Sequence, residues 1–360
     1  MPRQGETCGD ERQREQHPVI SREQRPQKAA RTGAIDGLEY ERGHEKGQAH
    51  DDPGTKGGGH YKGETKGIWH VQAPESVSLG YSKPHRREDS MEREWAPDSG
   101  SLHRFGDEIS AVVTGANRGL GLAFCRQLLR VPRVSRIHAA CRNPEAAKDL
   151  AALSASELSR LRILPMDVTK EPSIAQMAAR VGEEGRPVNL VINVAGLLHR
   201  YSADGDGPGP ERRLADIDPQ WLEESFRVNA SGPLLVAKHL QPLLPRRAHA
   251  VFASISARVG SIGDNRLGGW YAYRGSKAAQ NMFTRSLGIE LRRRAAGIVC
   301  VGLHPGTTDT GLSRPFQKGV PPGKLFTPDR AAGYLLTVID GLDSDDNGSF
   351  FDWDGAEIPW

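Results

Sequence analysis

From about residue 108 onward, short apolar runs alternate with longer amphipathic segments, a pattern that predicts strands and helices in turn. The predicted strands span residues 109–114, 136–141, 162–166, 188–194, 250–255, 298–303 and 349–351. The predicted helices span residues 120–129, 173–181, 219–240, 271–293 and 328–339, with a further helix ending near 156–160. Apolar strands joined by helices are buried on both faces, which implies a parallel sheet with right-handed crossovers. The predicted fold class is therefore α/β, a doubly wound, Rossmann-like parallel sheet in a single domain.

Residues 1–104 lack this alternation and are rich in Gly, Gln, Glu, Arg, His and Lys. A segment of this composition cannot bury enough apolar surface to offset the entropy of ordering. We therefore expect a disordered, low-complexity extension, followed by the nucleotide-binding domain at residues 105–360. The segment has no apolar leader, and its acidic residues argue against a transit peptide. It is either a binding tail or an unstructured extension, and in the second case Met91 is an alternative start.

Composition limits the classes of partner and site. The formal net charge of +3 over 360 residues does not indicate a nucleic acid or an anionic membrane as a partner. No apolar run is long enough for a membrane span, so we expect a soluble protein. Cys125, Cys141 and Cys300 lie in apolar patterns, which is typical of a reducing compartment such as the cytoplasm. The histidines form no metal-like cluster, and no metal is expected.

A glycine-spaced turn follows the first predicted strand, with the sequence Thr114-Gly115-Ala116-Asn117-Arg118-Gly119-Leu120-Gly121. Glycines at such a corner permit close approach of the backbone to a pyrophosphate, and the amides of the following helix face anionic oxygen. The turn therefore predicts a dinucleotide site. The alternative is a glycine-rich corner without a ligand.

The end of the second predicted strand indicates which nicotinamide cofactor is used. Sites that prefer NAD place an acid about 20 residues beyond the glycines. Here Arg142 occupies that region. A guanidinium can bind a 2′-phosphate through two charge-assisted hydrogen bonds, and Arg118 could add a second positive contact. We expect NADPH rather than NADH, unless one or both arginines are only solvated.

Tyr273 and Lys277 stand four residues apart on the predicted helix 271–293, so their side chains share one face. A phenol has a pKa near ~10 and exchanges protons poorly at neutral pH. A neighbouring cation favours the phenolate and lowers that pKa toward the range of general acid–base catalysis. This spacing is also common on solvated helices, and the glycine turn is what gives it a catalytic meaning.

Several motifs occur in a characteristic order, and together they resemble the short-chain dehydrogenase/reductase family from about residue 108 to the end. They are Thr114–Gly121, Asp167-Val168, Asn193-Val194-Ala195-Gly196, Asn229, Tyr273-x-x-x-Lys277 and Pro305-Gly306. The segment Gly268–Arg274 and the ending Phe351–Trp360 are similar to the carbonyl-reductase branch that includes the C-factor and sniffer proteins.

The resemblance implies an NADPH-dependent oxidoreductase that reduces an aldehyde or ketone of a small organic substrate, as a monomer or homodimer. Tyr273 would protonate the carbonyl oxygen, while Lys277 would hold the nicotinamide ribose and lower the pKa of Tyr273. Asn229 would anchor a water of a proton relay. Asp167 and Val168 would contact the adenine. Further cofactor contacts are implied at Asn193, Ala195, Gly196, Pro305, Gly306 and Thr308.

The serine of the family pattern is displaced. Ala257 stands where the second serine of a Ser-Ser pair would be, which leaves Ser256 and Ser261 as candidates, 17 and 12 residues before Tyr273. We favour Ser256 because it directly follows the strand. Because the serine is displaced, a nucleotide-binding signalling or scaffold protein of C-factor type, with little or no catalysis, is the alternative function.

The loop after Pro305-Gly306, from residue 307 to about 326, is rich in Gly, Pro, Ser and Thr and is a candidate lid. Its apolar members either cover a partly hydrophobic carbonyl compound or pack against the domain. They are Leu312, Phe316, Val320 and Leu325.

Overall fold

A computed structural model describes residues 101–157, 159–200, 207 and 209–360. The extension predicted for residues 1–104 lies outside the described residues up to position 100. Leu102, near the predicted end of this extension, and Phe105, the first residue of the predicted domain, are both buried in the core. The main-chain N–H of Leu102 donates to Asp340 at 3.0 Å. Two apolar side chains are too few to produce a periodic pattern, so this docking leaves no signal in the sequence.

In chain order the strands are β1 (Ile109–Thr114), β2 (Val134–Cys141), β3 (Leu161–Pro165), β4 (Leu190–Asn193), β5 (Ala250–Ile255), β6 (Ile298–Leu303), β7 (Thr307–Thr308), β8 (Leu325–Phe326) and β9 (Phe350–Phe351). Seven of them form the main parallel sheet, in the order β3-β2-β1-β4-β5-β6-β9, and β7 pairs with β8 in a small second sheet. The parallel, doubly wound fold is confirmed. The bounds of β1, β5 and β6 match the predictions, whereas β4 is shorter than predicted.

Helices connect the strands across both faces of the sheet. They are α1 (Gly119–Leu129), α2 (Lys148–Ser156), α3 (Glu171–Gly182), α4 (Pro219–Phe226), α5 (Gly232–Leu240), α6 (Tyr271–Arg294) and α7 (Pro328–Asp340). Among the described residues, none of the helices combines the length and apolar character that crossing a bilayer requires.

The single helix predicted for residues 219–240 is interrupted. Residues Arg227–Ser231 form a π-helical turn between α4 and α5. Pro233 explains the break, because it lacks the N–H that an α-helix would direct at the carbonyl of Asn229, and its ring crowds that carbonyl. The widened turn contains Asn229, one of the predicted site residues.

Alternation along the strands divides the interior between the two sheet faces. In β1, Ala111 and Val113 belong to the core beneath α1 and α7, whereas Val112 belongs to the core that contains Met177 of α3. The strand order reverses between β1 and β4. Loops leave these two strands toward opposite faces, which opens a crevice at their carboxyl ends.

Candidate active site

A cavity with a volume of about 1220 Å³ occupies the crevice at the carboxyl ends of the strands. Most of the predicted site residues line it. They are Gly115, Asn117, Arg118, Gly119, Leu120, Gly121, Arg142, Asp167, Val168, Ala195, Gly196, Ser256, Tyr273, Lys277, Pro305, Gly306 and Thr308. Three predicted residues, Asn193, Asn229 and Ser261, lie outside this lining.

The glycine turn has the backbone geometry that the dinucleotide prediction requires. Gly115 and Gly119 have φ values of 65° and 54°, which disfavour residues with a Cβ. A Cβ on Gly121 would lie 2.2 Å from the carbonyl oxygen of Gly115, so α1 packs tightly on the turn. No described side chain caps the N-terminus of α1. Its first amides therefore remain available to an anionic group in the cavity.

Charged side chains lie on the lining beyond this turn. Arg118 and Arg142 are exposed to solvent, and both border the cavity. Partial burial opposes ionisation of Asp167, but hydrogen bonds from Thr169 and the charges of Lys170 and Arg142 hold the pKa of Asp167 below its usual value. This end of the cavity thus presents two exposed guanidinium groups and one ionised carboxylate.

Tyr273 lies on the first turn of α6 and is 8% exposed. Its ring packs edge-on against Trp270 at a centroid distance of 6.3 Å. The expectation of a lowered pKa is wrong for this arrangement, because burial raises the pKa of Tyr273 above its ordinary value. The Lys277 Nζ lies 5.9 Å from the centre of the Tyr273 ring.

Lys277 is buried in the floor of the cavity. Its Nζ donates to the carbonyl oxygen of Ile255 at 2.8 Å and to Oε1 of Gln280 at 2.9 Å. Burial lowers the pKa of Lys277 to about 7. Gln280 was missed in the sequence, although its position three residues after Lys277 puts it on the same helix face and could have revealed it.

Asn229 acts as a bridge between α6 and the segment that follows β4. Its carboxamide accepts a hydrogen bond from the N–H of Leu197 and donates to the carbonyl of the same residue, both at 2.9 Å. It also donates to Oγ of Ser276 at 3.0 Å. A Cβ on Gly196 would lie 3.3 Å from Asn229 Oδ1 and 3.7 Å from Lys277 Nζ, so glycine keeps this corner narrow. Asn193 lies buried at the end of β4, where neither polar atom of its side chain has a hydrogen-bond partner among the described residues.

The two candidate serines are placed differently. Ser256 lines the cavity, and its Oγ donates to Asn281 Oδ1 at 2.6 Å. Ser261 donates to the carbonyl of Pro359 and accepts from the N–H of Asp264. The cavity lining therefore favours Ser256, although its hydroxyl proton is directed at Asn281.

Apolar side chains surround Tyr273 on the side away from the glycine turn. Leu198 and Ala257 form a buried cluster with Tyr273, and further members pack against it: Val259, Trp270, Leu312 and Phe316. The imidazole Nε2 of His199 lies 3.1 Å from the carbonyl oxygen of Leu312. His199 was not identified from sequence, and Trp270 entered only within the segment Gly268–Arg274, because neither lies in a spacing that indicates chemistry.

The candidate lid contributes three of its four apolar residues to the cavity. Leu312, Phe316 and Val320 are in the lining, whereas Leu325 is 37% exposed and lies outside it. The Phe316 ring packs on Trp270 at a centroid distance of 4.9 Å. The loop therefore forms one apolar wall beside Tyr273.

Burial of Lys277 predicts a pH-dependent cost to stability. The pKa is about 7 in the folded chain against an ordinary 10.5, so the unfolded chain binds the extra proton between these values. Stability should therefore rise with pH in this window, by up to ~1.4 kcal/mol per pH unit. When urea unfolding is measured from pH 6.5 to pH 9.5, we expect the free energy of unfolding of wild type to rise relative to that of Lys277→Met, at up to this rate.

Taking the difference between wild type and variant removes contributions from other titrating groups. Lys148→Met replaces an exposed lysine and should give a flat difference across the same pH range. A flat difference for Lys277→Met as well would show that Lys277 retains an ordinary pKa in the folded chain.

The sequence profile of the family described as "short chain dehydrogenase" matches residues 110–320. The C-signal protein of Myxococcus xanthus is 40% identical over 174 residues, which cover 48% of this chain and 93% of that protein. The 1-hydroxy-2-glutathionyl-2-methyl-3-butene dehydrogenase of a Rhodococcus species is 32% identical over 254 residues, which cover 70% of this chain and 99% of that protein.

Solved structures give the same result. The NADPH-bound carbonyl reductase from chicken fatty liver has a TM-score of 0.61 at 33% identity, covering 70% of this chain and 100% of that one. The carbonyl reductase Sniffer of D. melanogaster has a TM-score of 0.60 at 29% identity, with the same coverage. With a matched family profile, a shared fold and its motifs arranged around one cavity, this chain belongs to the short-chain dehydrogenase family of oxidoreductases.

Proposed function

We propose that this protein is an NADPH-dependent carbonyl reductase, which converts an aldehyde or ketone of a small organic molecule into the alcohol. One observation carries the proposal: Tyr273 and Lys277 line the same cavity as the uncapped N-terminus of α1. A proton donor beside a dinucleotide turn is the combination that reduction by a nicotinamide cofactor requires. The likeness to the NADPH-bound carbonyl reductase from chicken supports the same reaction.

The residues of the cavity fit the proposed cofactor. The turn Gly115–Gly121, with Asn117 and Leu120, would hold the pyrophosphate, and Arg142 with Arg118 would bind the 2′-phosphate. Asp167 and Val168 would flank the adenine. Around the nicotinamide half we assign the following residues: Asn193, Ala195, Gly196, Pro305, Gly306 and Thr308.

The turn at Gly306 is rigid enough to position a ring beside it. Gly306 has a φ of 68°, and a Cβ there would lie 2.6 Å from the Phe326 ring and 3.1 Å from Trp353. Phe326 and Trp353 pack against each other edge-on at 4.8 Å. The Pro305–Gly306 segment is thus fixed between the cavity and an aromatic cluster.

In the proposed reaction, NADPH would supply the hydride when bound, and Tyr273 would supply the proton to the carbonyl oxygen. Burial keeps the Tyr273 phenol protonated before the reaction, because it raises the pKa. As negative charge develops on the phenol oxygen, the Lys277 ammonium stabilises it. Each charge alone is penalised by burial, so the two charged forms are favoured together. Asn229 would anchor a relay water, and Ser256 would polarise the carbonyl.

The apolar wall beside Tyr273 indicates the character of the substrate. Leu198, Val259 and Trp270 face the cavity together with Leu312 and Phe316 of the lid. Apolar and aromatic walls with few polar groups bind hydrophobic ligands. We therefore propose a carbonyl compound with substantial hydrophobic surface.

A second candidate is a nucleotide-binding signalling protein with little catalysis. The observation that favours it is the Ser256 hydroxyl, which donates to Asn281 rather than into the cavity, with Ala257 beside it. The similarity to the C-signal protein points the same way. NADPH binding without turnover of any carbonyl compound would select this candidate.

Replacing Tyr273 tests the proposed proton donor. We expect Tyr273→Phe to lower kcat for NADPH-dependent reduction by roughly 10²–10⁴-fold across a panel of hydrophobic aldehydes and ketones, because the proton donor is lost. NADPH affinity, measured by fluorescence titration, should remain close to that of wild type.

Tyr271→Phe is the matched control, since Tyr271 lies two residues earlier on α6 and is 40% exposed. It should retain wild-type turnover. Ser256→Ala should lower kcat, while Ser261→Ala should leave kcat unaffected. Turnover by Tyr273→Phe at the wild-type rate would refute the mechanism.

Arg142 provides a test of cofactor preference. Arg142→Ala should weaken NADPH binding roughly ten- to hundredfold, because charge-assisted hydrogen bonds to the 2′-phosphate are lost. NADH lacks that phosphate, so its dissociation constant should hardly change. Arg180→Ala removes an exposed arginine of α3 outside the cavity and serves as the control. An equal loss of affinity for both cofactors would contradict the assignment.

A further inference from the structure

Three buried polar groups meet at the floor of the cavity. The Lys277 Nζ donates to the Ile255 carbonyl at 2.8 Å and to Gln280 Oε1 at 2.9 Å. The Nε2 of Gln280 in turn donates to the same Ile255 carbonyl at 3.4 Å. Lys277 is 4% exposed and Gln280 is 2% exposed. The two side chains and one main-chain oxygen therefore form a closed triangle away from bulk water.

This triangle fixes the orientation of the Gln280 carboxamide. Its amide nitrogen faces the Ile255 carbonyl, so its oxygen faces the ammonium. The flipped amide would set an –NH₂ group against the –NH₃⁺ group of Lys277, which would repel. An ammonium has three donors and no acceptor, and a buried one needs oxygen partners to stay charged. Gln280 supplies one of the two protein oxygens that Lys277 contacts.

Among the described residues, no other charged group stabilises the Lys277 ammonium in place of Gln280. Tyr273 is the titratable neighbour on α6, and the elements opposite Lys277 contribute the neutral Gly196, Asn229 and Gly260. Three arginines on neighbouring elements are paired with carboxylates: Arg258 with Asp264 and Asp352, Arg200 with Glu224, and Arg227 with Glu223. On α6 itself, Arg274 donates to main-chain carbonyls, and the buried Glu211 accepts from the N–H of Ala272. Burial is the cause of the lowered pKa of Lys277, and no described carboxylate offsets it.

We propose that Gln280 is a positioning residue that keeps Lys277 protonated and holds its ammonium on the Ile255 carbonyl beside Tyr273. Its effect on turnover rests on the function proposed above, whereas its effect on Lys277 does not. The charge of Lys277 is the property that acts on Tyr273. Gln280 thus sets the pH range over which the pair can transfer a proton.

The direct test is a pH titration of Lys277 in the full chain without added cofactor, followed by NMR of ¹³C-labelled lysine side chains. The Lys277 signal is assigned by its loss in Lys277→Met. Gln280→Met keeps the side-chain volume but removes the acceptor, so the pKa of Lys277 should fall by about one unit. Gln280→Glu supplies a charged acceptor, and the pKa should rise by at least about one unit.

Opposite shifts of the Lys277 pKa in the two variants distinguish a positioning role from a merely structural one, because a structural disturbance would shift the pKa in the same direction in both. Gln127→Met is the matched control. Gln127 is a buried glutamine of α1 that accepts a hydrogen bond from Arg130, so its replacement should leave the pKa of Lys277 unchanged. In turnover, the alkaline limb of the kcat/KM profile should move to lower pH in Gln280→Met and to higher pH in Gln280→Glu.

Either variant alone can overturn the proposal, which covers the case in which one of them does not fold. A Lys277 pKa equal to that of wild type in either folded variant, or a shift of both in one direction, would overturn the proposal. If no carbonyl compound is reduced, the proposed function fails while the NMR titration still decides the role of Gln280.

Discussion

The Lys277 ammonium is buried at the carboxyl end of β5, where a main-chain carbonyl and a carboxamide are its acceptors. Among the described residues no carboxylate pairs with it, and this constraint shapes the whole site. Burial disfavours the charged form of Lys277, and it likewise disfavours the phenolate of Tyr273, which lines the same cavity. In a buried acid–base pair of this kind, the ammonium and the phenolate are favoured together, because neither charged form is stable without the other.

The fold supplies the rigid frame that makes this burial possible. The reversal of strand order between β1 and β4 brings the glycine turn and the N-terminal half of α6 to one crevice. Close contacts at Gly121, Gly196 and Gly306 remove the freedom of the segments that surround it. The π-helical turn imposed by Pro233 then sets the Asn229 carboxamide between α6 and the segment after β4. The geometry of the site and the packing of the fold therefore depend on the same few close contacts.

Much of this could be predicted from sequence because it rests on local rules. Strand and helix periodicity located β1, β5, β6 and α6 within a residue, and the glycine spacing located the dinucleotide turn. Long-range contacts could not be predicted in the same way. Neither the docking of Leu102 on α7 nor the contact of Ser256 with Asn281 leaves a periodic signal.

The pKa of Tyr273 was mispredicted for a related reason. Spacing shows that a lysine is near, but burial of the phenol and the direction of the ammonium are properties of the folded chain. In the structure the Lys277 ammonium donates to Ile255 and Gln280, and burial of the phenol is what determines the direction of the Tyr273 pKa shift.

The central claim is that the buried pair Tyr273 and Lys277 protonates a carbonyl oxygen while hydride reaches the carbonyl carbon. Deuterium tracing tests it most directly. Purified protein is supplied with NADPH that carries deuterium at both C4 positions of the nicotinamide and with a hydrophobic aldehyde or ketone, and the alcohol is analysed by mass spectrometry. We predict one deuterium on the former carbonyl carbon with wild type, and formation of this labelled alcohol roughly 10²–10⁴-fold more slowly with Tyr273→Phe. No labelled alcohol from wild type, or labelled alcohol formed at the same rate by both proteins, would contradict the account.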